Sequence, residues 1–131
     1  MGKLKVLFFM ALIALVSCAI GCKSDDSTFS GSKTGNDNQF LVDFDALNST
    51  LSHTMPLLEG DRIETTINIE KGDVDILVQS ASGRVIYQGN DVETCSFVLE
   101  VQEADTYTFS ITGSKAEGSV HFVKALTDDA D

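Results

Sequence analysis

Basic residues, histidine, tryptophan and cysteine are all scarce in this sequence. Lys and Arg together number 9 against 20 Asp and Glu, and the formal net charge is −11. Because phosphate binding requires a basic patch, this balance argues against a nucleic-acid partner. It argues equally against electrostatic attraction to anionic lipid headgroups. The length of 131 residues suits one domain with a modest core.

The scarcity of histidine and cysteine also limits metal and catalytic chemistry. His53 and His121 are the 2 histidines, and they are far apart in the sequence, with no HExxH motif. We expect two surface or strand-edge imidazoles rather than metal ligands, since a structural zinc site requires four ligands. No GxSxG motif is present, and no nucleophile, base and orienting group can be combined. The sequence therefore predicts a protein that is not an enzyme and has no cofactor.

The first 22 residues combine a positive start, a short apolar core and small residues before cysteine. Lys3 and Lys5 supply the charge, and residues 6–20 are almost entirely apolar. This combination is typical of an export signal peptide. The apolar run is shorter than the roughly 20 residues that a membrane-spanning helix needs, so a transmembrane anchor is not expected.

Two cysteines in this region follow small residues, Cys18 after Ser17 and Cys22 after Gly21. The segment LVSC, which ends at Cys18, resembles the lipobox of bacterial lipoproteins, in which the first residue after cleavage is a lipid-bearing cysteine. The resemblance implies acyl chains such as palmitate on Cys18 and a domain attached to the extracytoplasmic face of the cell membrane. Cys22 is the alternative lipid site, because polar sequence begins directly after it.

Two segments have compositions that disfavour folding. Residues 23–38 (KSDDSTFSGSKTGNDN) are rich in Ser, Gly, Asp and Asn, and Phe29 is their only large apolar residue. Such a segment buries too little apolar surface to fold, so we predict a flexible tether between the signal and lipobox region, residues 1–22, and a domain over residues 39–126. Residues 127–131 (TDDAD) form an acidic tail that is expected to fray.

Between tether and tail, apolar and polar residues alternate at period two, and turn residues recur at short intervals. The clearest example is Ile63–Ile69, in which every second residue is Ile or Thr. The predicted strands are centred on residues 40–44, 51–55, 63–69, 74–79, 85–87, 95–101, 107–111 and 120–122. The pattern predicts an all-β fold, a single antiparallel β-sandwich of about eight strands, following an N-terminal signal helix and the tether.

Residues 57–122 also resemble known bacterial domains. The run LEGDRIETTINIEKGDVDILVQSASGRVIYQGN, followed by FVLEVQEADTYTFSITGSKAEGSVHF, is similar to the β domains of small Firmicute lipoproteins. It is also similar to pre-peptidase C-terminal domains, which are jelly-roll-like sandwiches appended to secreted enzymes. The shared features are turns and alternation, so the resemblance implies an architecture and brings no catalytic residues with it.

Candidate ligand groups within the domain are acidic or sulfur-containing. Asp73 and Asp75 point the same way if residues 74–79 form a strand, and they are candidate Ca²⁺ ligands together with Asp91 or Asp61. A solvated acidic face is the preferred interpretation, because Ca²⁺ takes six or more oxygens and no calcium-loop spacing is present. No metal site is therefore assigned.

The remaining cysteine lies within the predicted domain and has the parity of core-facing residues. We therefore expect Cys95 to be a buried free thiol. A disulfide with Cys22 is the alternative if Cys18 carries the lipid. The sequence has no disulfide framework in either case.

Aromatic and exposed apolar positions bear on possible partners. Tyr87 and Tyr107 share the parity of core residues, so we expect core rings whose hydroxyls reach the rim. Leu77, Ile86 and Val98 have the opposite parity and indicate either a partner patch or strands buried on both faces. The sequence predicts an interaction or accessory protein of the cell envelope, bound to an envelope protein or a cell-wall glycan. The alternative is a carbohydrate- or calcium-binding surface module.

Overall fold

The fold is all-β, as predicted. The computed structural model describes residues 28–125, which contain seven antiparallel strands and no helix. The strands are β1 Phe29–Asn36, β2 Gln39–Leu47, β3 Thr50–Leu57, β4 Arg62–Ser80, β5 Val85–Gly89, β6 Cys95–Glu100 and β7 Asp105–Lys124. This part of the chain offers no helix that could cross a membrane. The predicted signal region with Cys18 and Cys22, residues 23–27 and the acidic tail lie outside the described residues.

Two long strands organise the fold. β4 has 19 residues and β7 has 20, and they pair with each other from Ile63 opposite Lys124 to Ser80 opposite Tyr107. Both strands bend near their middle, where register shifts flank Lys71. Each long strand therefore contributes one half to each of two facing layers. Layer A has the strand order β1-β2-β7-β4-β6, and layer B has the order β3-β7-β4-β5.

The apolar core lies between the two layers. Phe109 in layer B contacts Phe122 in layer A with ring centroids 4.8 Å apart. Along β4, Ile63, Thr65 and Ile67 are buried before the bend, and even-numbered residues from Val74 onward are buried after it. One extra residue in each long strand at the bend shifts the parity. The apolar sides of both halves therefore face the same interior.

Glycine makes this bend sterically possible. Gly72 on β4 has φ +76°, and a Cβ at this position would overlap the carbonyl oxygen of Lys115 on β7. Gly118 on β7 is equally restricted, because a Cβ there would overlap the carbonyl oxygen of Asn68. The close approach of the two backbones at the bend thus requires residues without a side chain.

Replacing Gly72 should therefore disrupt the bend. We expect Gly72→Ala to lower the free energy of unfolding by about 3 kcal/mol or more, because a left-handed φ is combined with a backbone overlap. Gly83→Ala is the matched control, since Gly83 also has a left-handed φ, +97°, but nothing lies within 4 Å of the added Cβ. It should cost about 1–2 kcal/mol. Urea denaturation followed by circular dichroism measures both, and equal losses would contradict the role given to the bend.

The number of strands differs from the predicted eight for two reasons. The predicted strands at residues 63–69 and 74–79 are the two halves of β4, and those at 107–111 and 120–122 are the two halves of β7. The polar residues at the bend resemble a turn in the sequence, although the two strands continue through it. One strand, β1, lies in a segment for which none was predicted.

The prediction of a flexible tether over residues 23–38 is wrong for Phe29–Asn36, which form β1. This strand pairs along the whole of β2, from Phe29 opposite Leu47 to Asn36 opposite Gln39. Only Phe29 packs against the core, and the other side chains are exposed. Backbone hydrogen bonds to β2 are thus the main interactions that hold β1 in the sheet. Such bonds leave no pattern of alternating side chains in the sequence. The folded domain consequently begins before residue 39.

The prediction for Cys95 is also wrong, because this residue is an exposed free cysteine. Its parity is that of Phe97 and Leu99, which are half-buried against the core. Cys95 is, however, the first residue of β6, and β6 is an edge strand of layer A. A side chain that points toward the interior stays exposed at this position, because no neighbouring strand covers the end of an edge strand.

The two tyrosines have different degrees of burial. The Tyr107 ring is fully buried, and its hydroxyl donates to the carbonyl oxygen of Glu103 at 2.6 Å, as predicted. A tyrosine near the start of a strand that bonds to backbone a few residues upstream is the tyrosine corner of β-sandwiches. Burial raises the pKa of Tyr107, and the nearby carboxylates of Asp105 and Glu103 raise it further. Tyr87 is only half-buried and packs against Phe97.

Candidate functional site

A groove of about 320 Å³ lies on the outer face of layer B, and most of its lining surface is apolar although most of its lining residues are of polar types. All four strands of the layer, or residues adjoining them, contribute to it. The lining residues are Thr50, Asp75, Ile76, Leu77, Gln88, Asn90, Ser110 and Thr112. The lining thus combines hydroxyls, side-chain amides and a carboxylate with the half-buried aliphatic side chain of Leu77.

Strand pairing brings these side chains together from distant parts of the sequence. Thr112 of β7 is opposite both Thr50 of β3 and Asp75 of β4, so the three form one row across the layer. The next row contains Leu77, which is opposite Ser110 on one side and Gln88 on the other. Since neighbouring strands are about 4.8 Å apart, the groove presents a regular array of polar groups.

The groove combines polar side-chain groups with a larger apolar surface, and it carries little charge. The hydroxyls of Thr50 and Thr112 are 2.9 Å apart and hydrogen-bonded to each other. Asp75 is the only ionisable residue in the lining, and no basic side chain is present there. The half-buried Leu77 supplies an apolar surface between the polar groups. These groups suit a neutral ligand with several hydroxyls and one apolar face.

An acidic cluster adjoins the groove, and it contains the residues predicted from the sequence as candidate Ca²⁺ ligands. The backbone N–H of Asp91 donates to Asp75 Oδ1 at 2.7 Å. A side-chain hydrogen bond with Asp73 raises the pKa of Asp91, and the negative charges of Asp73, Asp75 and Glu93 act in the same direction. The structure therefore brings Asp73, Asp75 and Asp91 together.

The fourth candidate, Asp61, belongs to a different part of the molecule. It lies in the turn between β3 and β4, where its Oδ2 accepts a hydrogen bond from the N–H of Leu58 at 2.8 Å. Within residues 28–125, no group of three or more His, Cys, Asp or Glu side chains has an arrangement that could hold a metal ion.

The acidic cluster should make stability depend on pH in a defined direction. Because the pKa of Asp91 is raised in the folded state, folding favours the protonated carboxyl, and stability is lost as pH rises through that pKa. We expect Asp91→Asn to raise Tm at pH 7, since the amide removes the repulsion and tolerates the left-handed φ of 54°. The difference should shrink toward pH 4 or thereabouts, where carboxyls ordinarily protonate.

The control for this prediction is Asp37→Asn, which removes an exposed carboxylate from the turn between β1 and β2. Calorimetry of both variants between acid and neutral pH measures the effect. A Tm gain for Asp91→Asn that is independent of pH would contradict the explanation by carboxylate repulsion.

Asp105 has the opposite electrostatic behaviour at the other end of the sandwich. Hydrogen bonds from the Thr106 N–H at 2.7 Å and the Ser82 hydroxyl at 3.0 Å lower the pKa of Asp105. The stability it contributes is present at neutral pH and is lost as pH falls through the lowered pKa. Asp105 therefore has a structural role, because its contacts join the turn between β4 and β5 to the start of β7.

The two histidines lie in different layers. On β3, His53 bonds through Nε2 to the carbonyl oxygen of Asn36 at 2.8 Å, and its ring centroid is 5.2 Å from that of Phe40. On β7, His121 Nε2 is 3.0 Å from Asp43 Oδ1. His53 thus links β3 in layer B to the end of β1 in layer A, and His121 links β7 to β2 on the outer face of layer A.

The three apolar residues of outward parity do not form one patch. Leu77 lines the groove in layer B, and Ile86 is half-buried on β5. Val98 is 47% exposed and lies on β6 at the edge of layer A. The sequence identified Leu77 as unusual, but it gave no indication that Thr50, Gln88 and Ser110 would surround it.

Comparisons with known proteins identify no family for this chain, and the similarity to the solved structures described below is low. No protein family matches the chain, and no curated protein matches it in sequence. Among solved structures, PliG, a periplasmic inhibitor of g-type lysozyme from Aeromonas hydrophila, is 11% identical, with a TM-score of 0.44 over 75% of this chain and 92% of that one. A CBM4 structure is 8% identical, with a TM-score of 0.39 over 78% and 80%.

A third solved structure, TmCBM61 in complex with β-1,4-galactotriose, is 15% identical, with a TM-score of 0.36 over 78% of this chain and 72% of that one. Likenesses at this level assign no ligand to the present chain. The resemblance of the sequence to lipoproteins and pre-peptidase C-terminal domains stays a prediction.

Proposed function

We propose that this protein is a non-enzymatic binding module, lipid-anchored on the extracytoplasmic face of the cell membrane, and that it binds a neutral saccharide in the groove of layer B. The observation that carries the choice of ligand is the lining of the groove, in which hydroxyls, amides and a carboxylate surround the aliphatic side chain of Leu77. The non-enzymatic role rests on the sequence, where no set of catalytic groups combines.

Size and hydrogen-bonding capacity support a saccharide. A volume of about 320 Å³ lies at the small end of the range for ligand sites, roughly 300–1,000 Å³. It is suited to one or two sugar rings. Gln88 and Asn90 each offer an N–H donor and a carbonyl acceptor, and Ser110 and Thr112 offer hydroxyls that do both. Vicinal sugar hydroxyls, which also donate and accept, match such a lining.

The negative charge in and beside the groove argues against acidic saccharides. Asp75 lies in the groove, and Asp73 and Asp91 are next to it. Because the lining contains no basic side chain, uronic acids, phosphorylated sugars and sulfated sugars would meet repulsion without compensation. A neutral or amine-bearing sugar avoids this repulsion.

The groove is a preformed site, and we expect it to bind its ligand with modest affinity. Most of the lining residues lie on paired strands, and β4 and β7 also carry the core on their opposite faces. Side chains on such elements are held more precisely than side chains on loops. The apolar surface is Leu77 rather than an aromatic ring, so we expect a dissociation constant of about 0.1–1 mM.

Lipid attachment is consistent with the length of chain before the domain. Thr28, the first described residue, bonds through its carbonyl oxygen to the Asn48 N–H. It is six positions after Cys22 and ten positions after Cys18. At about 3.5 Å per residue, a lipid on Cys18 would lie within about 35 Å of the first strand. The domain would then be close to the membrane surface.

The groove can be tested by titration with neutral sugars. Purified protein should be titrated with oligomers of glucose, galactose and N-acetylglucosamine while backbone amide NMR signals are followed. One of these should shift amides of the groove rows, and Gln88→Ala should weaken binding about tenfold by removing an exposed amide. Thr54→Ala, on the same outer face but outside the groove, is the matched control and should leave affinity unchanged.

Two results would contradict the saccharide proposal. One is the absence of shifts at groove amides with every neutral oligomer at millimolar concentration. The other is equal affinity in the Gln88→Ala and Thr54→Ala variants.

The anchor is tested separately by mass spectrometry of the mature protein from membranes. We expect an N-terminal peptide that begins at Cys18, or at Cys22 as the alternative, with a mass increase equal to its acyl chains. Substitution of the modified cysteine by Ser should release the protein from the membrane fraction, whereas Cys95→Ser should not. A mature chain that begins at Met1 without a lipid would contradict the proposed location.

A further inference from the structure

β6 differs from the other edge strands of the sandwich. Edge strands expose unpaired backbone groups, and natural proteins protect them with bulges, Lys, Pro or very short length. In the described domain, β1 has a register shift at Ser30 and Gly31, β3 contains Pro56, and β5 has a register shift opposite Gln79. β6 pairs with β4 without any shift and contains neither Lys nor Pro.

Each face of β6 carries at least one apolar side chain that is not fully buried. Val98 is 47% exposed on the outer face of layer A. On the inner side, Phe97 and Leu99 are half-buried, and Tyr87 of β5 packs against Phe97 with ring centroids 4.9 Å apart. Val85, also on β5, is 45% exposed. An added strand would therefore cover apolar groups with side chains of either parity.

The chain segment that contains β6 carries charge of a single sign over a long stretch, and the cation beside it on β4 is Arg62, which lies opposite Glu100. From Val85 to Ser114 the sequence contains no Lys, Arg or His. The acidic residues of that stretch are Asp91, Glu93, Glu100, Glu103 and Asp105. Arg84 is already close to Glu103 at 3.4 Å. Two copies of this acidic chain would repel each other at the edge, whereas a basic segment would be attracted.

We propose that β6 docks an extended segment of a partner protein in which apolar and basic side chains alternate, and that this segment adds one strand to layer A. Main-chain hydrogen bonds to the free edge would hold the segment, as in other cases of β-strand addition. Its apolar side chains would cover Phe97 and Leu99 on the inner face. Its basic side chains would then lie on the outer face, where their aliphatic stems pack on Val98 and their charged ends meet Glu100. This surface is distinct from the groove, which lies on the outer face of layer B.

The test uses the full-length protein and a synthetic peptide of alternating Lys and Val, eight residues long. A peptide of the same length with Pro at two central positions is the peptide control, because Pro cannot complete the ladder. We expect the alternating peptide to bind, with an affinity that falls as salt rises. Hydrogen exchange at the backbone amides of residues 95–100 should slow when it binds.

Two variants separate strand addition from general charge attraction. Val98→Lys places a cation on the proposed surface and should weaken peptide binding about tenfold. Ser32→Lys adds the same charge on β1, at the opposite edge of layer A, and should change affinity by less than about twofold. Circular dichroism and Tm establish that both variants fold.

Four outcomes would overturn the proposal. Equal binding of the alternating and Pro-containing peptides, or equal weakening by the two Lys variants, would show attraction without strand addition. If binding protects only amides that lie outside residues 95–100, the peptide binds at another surface. A dimer without peptide that Val98→Lys dissociates would make a second copy the occupant of the edge. None of these results depends on saccharide binding in the groove.

Discussion

The antiparallel pairing of β4 with β7 is the constraint on which the rest of the structure depends. These two strands are the only ones in the described chain that contribute to both layers. Every other strand pairs with one of them or, in the case of β1, with a strand that does. Because both strands bend at the same place, the core is enclosed by one folded ladder rather than by two separate sheets. Gly72 and Gly118 are the residues at which this ladder is most intolerant of change.

Much of the fold follows from side-chain alternation, and the limits of that signal have identifiable causes. Alternation correctly gave the all-β class and the inward positions of Ile63, Ile67 and Tyr107. It divided β4 at the bend because Lys71 and Gly72 resemble a turn. It missed β1 because that strand is held by backbone pairing, which leaves no pattern in the side chains. These errors arise where main-chain geometry decides the structure.

The sequence also did not predict which strands lie at an edge or which strands are neighbours in a layer. Cys95 has inward parity, yet its exposure depends on the place of β6 at the edge of layer A. Thr50 and Thr112 are separated by 62 residues and meet only because β3 pairs with β7. Both are polar and have the parity opposite to the nearest buried residues of their strands, which is half of what defines the groove. The other half is strand order, which depends on long-range pairing.

If the chain is anchored through its N-terminus, as proposed above, the way β1 is held has a mechanical consequence. β1 is the first strand of the domain, and Phe29 is its only side chain packed on the core. Any tension along the chain from the attachment point would thus reach the sandwich through the β1–β2 hydrogen bonds and the contact of His53 with Asn36. Under load, this outermost ribbon would yield first, and the apolar interior would stay closed while the chain lengthened by the span of one strand.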